Sequence, residues 1–480
     1  MAGPDIGYPP LSLAIDRIYP NQLLRKIIEI HVIDVMNMED KHIIVLIDHL
    51  RETMIIHVVQ PGETINSISD YYKIPVDRLI LENGITNPGN LAIGQTIVIV
   101  QPETLYTVQA GDTLESIAKQ HGTTPMELLR NNPYLSEREF LYVGETIVIS
   151  YQTNKTRTIA TSGYIFPYID KSVLIKTLPF LSYLAIFNYR ATSEGEIISR
   201  VDDTELIQLA KTYGTAPMMF VSTITEEGIV SREVTNIILN NPSVQNRLIY
   251  NTLQILKEKG FYGINIYAET ITNENINSFA EFLEKAASIL HSEGFRVVIT
   301  ITPITNIDTP NVSIVNIDYS KLAEFVDGIM FSSYEWARTY SYPNAIHPIN
   351  VIRELLNYAV SIIPPEKIFL GITTLGYDWT LPYVPGATEA VVISNNSAVQ
   401  LAADNGIPIQ FNETAQSPYF YYTNIDGILH VVWFKDARSF DARAGLAEEY
   451  NLQGLSFWNV MKFDTQLWLI INTQYYIQKF

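Results

Sequence analysis

The amino-acid sequence predicts an α/β chain. Its centre is a (β/α)8 TIM barrel with a small α+β insertion, and two short βααβ domains and a β-rich extension precede it. Three observations predict this. Eight strand-like segments alternate with helical stretches after about residue 158, the pattern of a parallel sheet closed into a barrel. A repeat with a 49-residue period ends near residue 151. Before residue 55, two runs alternate apolar with polar side chains.

The first element is the extension, residues 1–55. LLRKIIEIHVIDV and DKHIIVLIDHL, joined through NMED, alternate well enough to be two strands. Two strands alone are marginal in water, so this hairpin is expected to dock on its own repeat or on another molecule. Self-association through residues 1–55 is therefore one expected partnership.

The repeat follows. Val59-Gln60-Pro61-Gly62-Glu63-Thr64 recurs as Val108-Gln109-Ala110-Gly111-Asp112-Thr113, giving domains over 56–101 and 104–151. Each copy continues as an amphipathic helix (INSISDYY, then LESIAKQH) and a second helix (PVDRLILEN, then TPMELLRNN). Each closes on a strand, GQTIVIV from Gly94 and GETIVIS from Gly144. Thr64 and Thr113 are good N-caps. The order strand–helix–helix–strand, with these paired Gly-x-Thr signals, resembles the LysM domain along the whole of both copies. That resemblance implies a groove for N-acetylglucosamine polymers. One wall would be the capping loop: Gly62, Glu63 and Thr64, then Gly111, Asp112 and Thr113. The other would be the loop after the second helix, Asn83 to Pro88 with Asn87 and Pro88, and Asn131 to Pro133 with Asn132 and Pro133.

The barrel is expected over 158–480. Its strand candidates are TIATSGYIF, YLAIFNY, APMMFVSTI, GFYGINIYAE, RVVITITP, VDGIMFSSYEW, IFLGITTLGYDW and GLSFWNVM. Helical stretches such as NRLIYNTLQILKEKG and NSFAEFLEKAASILHSEGF separate them. The segment from about 381 to 439 is too long for one connection. Its PYFYYTN and DGILHVVWF pieces predict a hairpin, hence a small insertion over the barrel mouth, where barrel enzymes keep their catalytic groups.

Composition narrows the chemistry. The net charge is −19, from 32 Lys plus Arg against 51 Asp plus Glu, and no basic cluster offsets it, which argues against a nucleic-acid partner. With no cysteine there are no disulfides, thiolate metal sites or Cys nucleophiles. The eight His form no HxH or HExxH spacing, so no metal and no cofactor are expected. No apolar run is long enough for a membrane span. The N-terminus lacks a basic n-region and an apolar h-region, so no signal peptide is expected.

The stretch GFYGINIYAE carries the chemistry. Ile264, Ile266 and Ala268 are expected on one face, with Asn265, Tyr267 and Glu269 on the other. A largely apolar strand thus points an amide, a phenol and a carboxylate the same way and ends on the carboxylate. With this strand in place, residues 158–480 resemble glycoside hydrolase family 18, the chitinase-like barrels. The double LysM in front makes the resemblance one to the spore-associated N-acetylglucosaminidases that degrade cortex peptidoglycan. It implies Glu269 as general acid and, from SSYEW, Tyr334 as the active-site tyrosine. It also implies substrate contacts from Glu335 and Trp336, from Tyr377 and Asp378 in LGYDWTLPY, and from Trp458 in GLSFWNV, the floor of the sugar site. Members read DGxDxDxE here and let the sugar's own acetamide attack the anomeric carbon, outside the usual two-carboxylate scheme.

Laid over this chain, the pattern falls on Tyr262, Gly263, Asn265, Tyr267 and Glu269. The acid is retained and the three aspartates are replaced. Tyr267 stands where an aspartate would orient the acetamide, and a phenol with pKa near 10 supplies no balancing charge there. Two functions are thus expected as alternatives. One is a glycan-binding spore-envelope protein of cortex N-acetylglucosaminidase type with catalysis weakened or lost through Tyr267. The other is an inactive, self-assembling spore-surface scaffold.

Overall fold

The structure, a computed structural model, describes residues 54–155, 157–225, 228–268, 271–308, 311–332 and 341–480. The hairpin expected within residues 1–55 therefore lies outside the described residues, apart from Met54 and Ile55. The chain divides into two compact units, Met1–Ile55 and Ile56–Phe480, and the second holds both repeats and the barrel.

Each repeat is a two-stranded sheet under two helices. In the first, Met54–Val58 pairs with Thr96–Val100, and helices Ile65–Tyr72 and Val76–Asn83 lie between them in sequence. In the second, Pro102–Thr107 and Thr146–Tyr151 run antiparallel, with helices Leu114–His121 and Pro125–Asn131. Thr64 and Thr113 cap the first helix of each copy. Each hydroxyl accepts from the backbone N–H three residues on (Ser67, Ser116), and that serine returns a bond to the cap's N–H, two capping boxes 49 residues apart.

Eight parallel strands close into a barrel: Thr158–Ile165, Tyr183–Ala191, Ala216–Ser222, Gly263–Ala268, Arg296–Ile301, Gly328–Phe331, Ile368–Thr373 and Gly454–Trp458. Each pairs with the next in chain order, and the eighth pairs with the first through Gly454↔Ala160. Inside, Tyr164, Ala185, Met218, Phe220, Val298, Met330 and Phe369 form a single buried cluster, so the barrel is filled rather than hollow.

The seventh segment departs from expectation. The run IFLGITTLGYDW is not one strand, because the barrel strand ends at Thr373. The Thr374 N–H donates to the Trp458 carbonyl and its hydroxyl to that of Asn459, turning the chain outwards. Leu375–Thr380 then joins a five-stranded antiparallel sheet with Val391–Ser394, Leu429–Trp433, Ser417–Thr423 and Gln410–Asn412. The inserted sheet thus begins six residues before the sequence places it. Its helix Asn395–Asp404 packs on the sheet face that carries Phe420 and Val432.

Both repeats sit directly on this body. The last helix, Thr465–Gln474, meets them with side-chain amides. Gln466 Nε2 donates to Asn83 Oδ1 (3.1 Å) and to the Thr96 carbonyl (2.7 Å), and Asn472 Nδ2 donates to Asn131 Oδ1 (2.8 Å). The first repeat also buries Ala92 among Ala398, Phe420 and Phe434 of the insertion, where the Ile409 N–H donates to the Ile93 carbonyl (2.8 Å). Gly94 makes that approach possible: it has φ +85°, and a Cβ there would sit 2.1 Å from the Ile409 carbonyl oxygen.

Candidate active site and glycan-facing loops

The fourth barrel strand supplies the inward polar groups. Asn265 is fully buried, and its Oδ1 accepts from the Thr300 hydroxyl at 2.8 Å. Thr300 Oγ1 also shares a 2.8 Å hydrogen bond with the Tyr164 hydroxyl, which reaches the Met330 sulfur at 3.2 Å. Burial pushes the Tyr164 phenol up to about 12, so it is a neutral partner. The amide of Asn265 is thereby satisfied without a counter-ion, where a carboxylate would need one.

Tyr267 lies one step nearer the mouth on the same face. It is half-buried, its ring centroid lies 5.6 Å from that of Phe220, and its hydroxyl pairs with Thr302 Oγ1 at 3.3 Å. Thr302 is bonded in turn to Ser332 (2.9 Å). Trp458 ends the eighth strand, with its ring 5.5 Å from Tyr164, 5.9 Å from Phe166 and 6.1 Å from Phe187. The structure thus brings Asn265, Tyr267 and Trp458 into one aromatic mouth. Tyr164 and Thr300 complete it; they come from strands one and five, so no local motif marks them. Glu269, Tyr334, Glu335 and Trp336 lie outside the described residues.

Tyr377 and Asp378 are carried by the inserted sheet, on opposite faces. Tyr377 packs beside Trp379, with Ala345, Ile346 and Trp433. Asp378 turns the other way, where its carboxylate accepts from the Tyr422 hydroxyl (2.7 Å) and pairs with His430 Nδ1 (2.9 Å). That carboxylate is committed within the insertion. Among the described residues, no group of three or more His, Asp or Glu side chains is placed to hold a metal.

In the repeats, Gly62 and Gly111 adopt φ +85° and +89°, which opens the turn before each cap. Glu63 Oε2 accepts from the Gln60 N–H (2.7 Å) and bonds His57 Nε2 (2.8 Å). Asp112 Oδ2 does the same with the Gln109 N–H (2.7 Å) and the Tyr106 hydroxyl (2.9 Å). These carboxylates shape their own loops. Burial works to raise the Glu63 carboxyl, yet the Gln60 and His57 bonds outweigh it and hold the group below the usual carboxylate range.

Asn132 is buried. Its amide donates to the carbonyls of Leu128 and Val148 and accepts from the Val148 N–H, clamping helix to strand. Asn83 makes the same three bonds to Leu79 and Val98, so it, and not Asn87, is the counterpart of Asn132 in the first copy. The 49-residue period already relates the two. Asn87 and Pro88 are half-buried, and Asn87 lines a crevice against the insertion helix Asn395–Asp404. Pro133 is half-buried at the edge of a larger cleft between the copies.

A filled eight-stranded barrel with an aromatic, hydrogen-bonded mouth, preceded by two capped βααβ repeats, defines a modular (β/α)8-barrel protein. The LysM domain matches residues 57–100 and 106–150, and glycosyl hydrolases family 18 matches residues 235–463. The chain belongs to glycosyl hydrolase family 18, with two LysM domains ahead of the barrel. It is 32% identical to the cortical fragment-lytic enzyme of Bacillus subtilis (strain 168) over 432 residues, 89% of this chain and 99% of the relative. The cortical fragment-lytic enzyme of Bacillus anthracis is 30% identical over 428 residues, 78% of this chain and 99% of that one. Among solved structures, the spore cortex-lytic enzyme SleL of Bacillus megaterium QM B1551 superimposes with a TM-score of 0.73 at 31% identity, covering 89% of this chain and 99% of that chain.

Proposed function

We propose that this protein binds N-acetylglucosamine-containing glycan of the spore envelope through its LysM pair and barrel, and hydrolyses it slowly. The observation that carries the reading is the inward pair Asn265 and Tyr267, on the face and at the two positions where family members place aspartates before the acid. Alternation along the sequence assigns that face to Glu269, the proposed proton donor, and Tyr334 is the proposed active-site tyrosine. Relatives named as cortical fragment-lytic and spore cortex-lytic enzymes support cortex peptidoglycan as the substrate. Substrate-assisted attack leaves an oxazolinium cation, and the Tyr267 phenol, held between Phe220 and Thr302, gives it no countercharge.

Release of reducing ends from purified cortex fragments tests this. Wild type is expected to bind fragments and turn them over slowly. Tyr267→Asp should raise the rate, by on the order of 10²-fold or more if the aspartate regains its orienting role. Glu269→Gln should abolish turnover and spare binding. Fast wild-type turnover that survives Glu269→Gln would mean another acid on another strand. No turnover by either wild type or Tyr267→Asp would favour the scaffold.

A further inference from the structure

The two LysM copies differ in what covers the segment that leads into their closing strands. Gly94 and Gly144 open those strands, so Leu91, Ala92 and Ile93 correspond to Leu141, Tyr142 and Val143. In the first copy this segment is seated on the insertion. Ala92 is buried against Ala398, Phe420 and Phe434. The Ile93 carbonyl accepts from the N–H of Ile409 (2.8 Å), the residue before the edge strand Gln410–Asn412. The Gly94 carbonyl accepts from Arg438 Nη2 at 3.4 Å, and the Arg438 guanidinium lies 4.0 Å over the Phe411 ring. An apolar strand edge with an arginine beside it thus covers the segment.

In the second copy the same segment is bare. Phe140 is 67% exposed, Tyr142 55% and Val143 69%. Among the described residues no donor reaches the Val143 or Gly144 carbonyl, the counterparts of those that Ile409 and Arg438 cap. A Cβ at Gly144 would meet nothing within 4 Å, where one at Gly94 would meet Ile409. Single exposed apolar residues need no explanation, whereas a contiguous row of them marks an interaction surface. The row is held in shape by its own bonds. The Tyr142 N–H donates to Glu145 Oε1 (2.7 Å), and Arg138 bonds Glu145 Oε2 (2.8 Å) while lying 4.8 Å over the Tyr142 ring. None of these residues belongs to the walls assigned to the glycan groove, Gly111 to Thr113 and Asn131 to Pro133.

We propose that residues 140–144 are a docking surface for the strand edge of another protein, a basic and apolar extended segment. It would repeat on the second copy what Ile409 and Arg438 do on the first. So short a row cannot supply the roughly 800 Å² per partner of a standard interface between folded surfaces, but it suffices for a segment held by its backbone. The net charge of −19, with exposed Glu139 next to Phe140, favours a basic partner. This surface goes beyond the glycan reading and does not depend on it.

Amide shifts of the isotope-labelled full chain test it, with the peptide Asn405–Asn412 extended by two arginines as probe. Saturable shifts are expected at Tyr142 to Glu145 and not at Leu91 to Gly94, where the insertion already sits. N-methylation of the peptide at Ile409 removes the donor and should weaken binding by about fivefold or more, the worth of one backbone hydrogen bond. Val143→Lys, on an exposed side chain, should abolish the shifts and leave the melting temperature unchanged. No shift at 142–145 with millimolar peptide would overturn the proposal, as would shifts that survive both N-methylation and Val143→Lys. Shifts at Leu91 to Gly94 instead would mean that the peptide displaces the insertion, and would overturn it too. The N-acetylglucosamine tetramer is the remaining arm. If it shifts the same amides and competes with the peptide, the segment is a glycan surface and the proposal fails.

Discussion

Burial raises the Glu82 carboxyl from 4.5 to about 7, against the Tyr151 hydroxyl and the Arg78 guanidinium, which act to lower it. A carboxyl whose folded value lies above its unfolded one stabilises the fold below the unfolded value. That contribution is lost as pH rises through the folded one, here from 4.5 to about 7. At 1.36 kcal/mol per pH unit, the loss amounts to about 3 kcal/mol. Glu82→Gln keeps an acceptor for Tyr151 and removes the titration. Denaturant unfolding between pH 4 and 8 should therefore show wild type losing that much relative to the variant, and parallel profiles would rule it out. At the barrel mouth, alternation along GINIYA made the shared face of Asn265 and Tyr267 legible. Their partners Tyr164, Thr300 and Met330 arrive from three other strands, and no local pattern joins residues so far apart in sequence.

Elements that look alike in sequence carry different loads. Gly94 and Gly144 open the closing strands of the two repeats with φ +85° and +89°. A Cβ at Gly144 would meet nothing within 4 Å, whereas one at Gly94 would lie 2.1 Å from the backbone oxygen of Ile409. Gly144→Ala should cost only the left-handed backbone penalty, about 1–2 kcal/mol. Gly94→Ala should cost clearly more, because it also breaks the seam between the first repeat and the insertion. Equal losses in urea unfolding would mean that the seam contributes nothing. The repeats, their caps and the eight barrel strands were legible because each has a local period or a turn signal. The end of the seventh strand was not. The run from Ile368 to Thr380 is mostly apolar with no turn signal strong enough to split it, and the break is made by Thr374 bonding to Trp458 and to Asn459, 85 residues away.

On the scale of the whole molecule, the LysM pair is a docked part of the body formed by Ile56–Phe480. Gln466 reaches Asn83 and Thr96, Asn472 reaches Asn131, and Arg130 donates to the Pro179 carbonyl at 3.1 Å. Asn83 in turn clamps Val98, so one amide links the last barrel helix to the core of the first repeat. Nothing in the 49-residue period announces this, since the docking residues differ between the copies. Each net hydrogen bond is worth about 1 kcal/mol, enough in sum to couple the repeats to the barrel but not to make them inseparable. The Val98 and Val148 amides, each bonded to a clamping asparagine, should therefore exchange with solvent nearly as slowly as barrel amides such as Ile299. Gln466→Ala combined with Asn472→Ala should leave the barrel amides protected and speed Val98 and Val148 by on the order of tenfold or more, a free-energy loss of about 1.4 kcal/mol. If the double variant changes neither amide, the two contacts do not couple the repeats to the barrel. If Val98 and Val148 exchange quickly in wild type, the repeats open independently of the barrel.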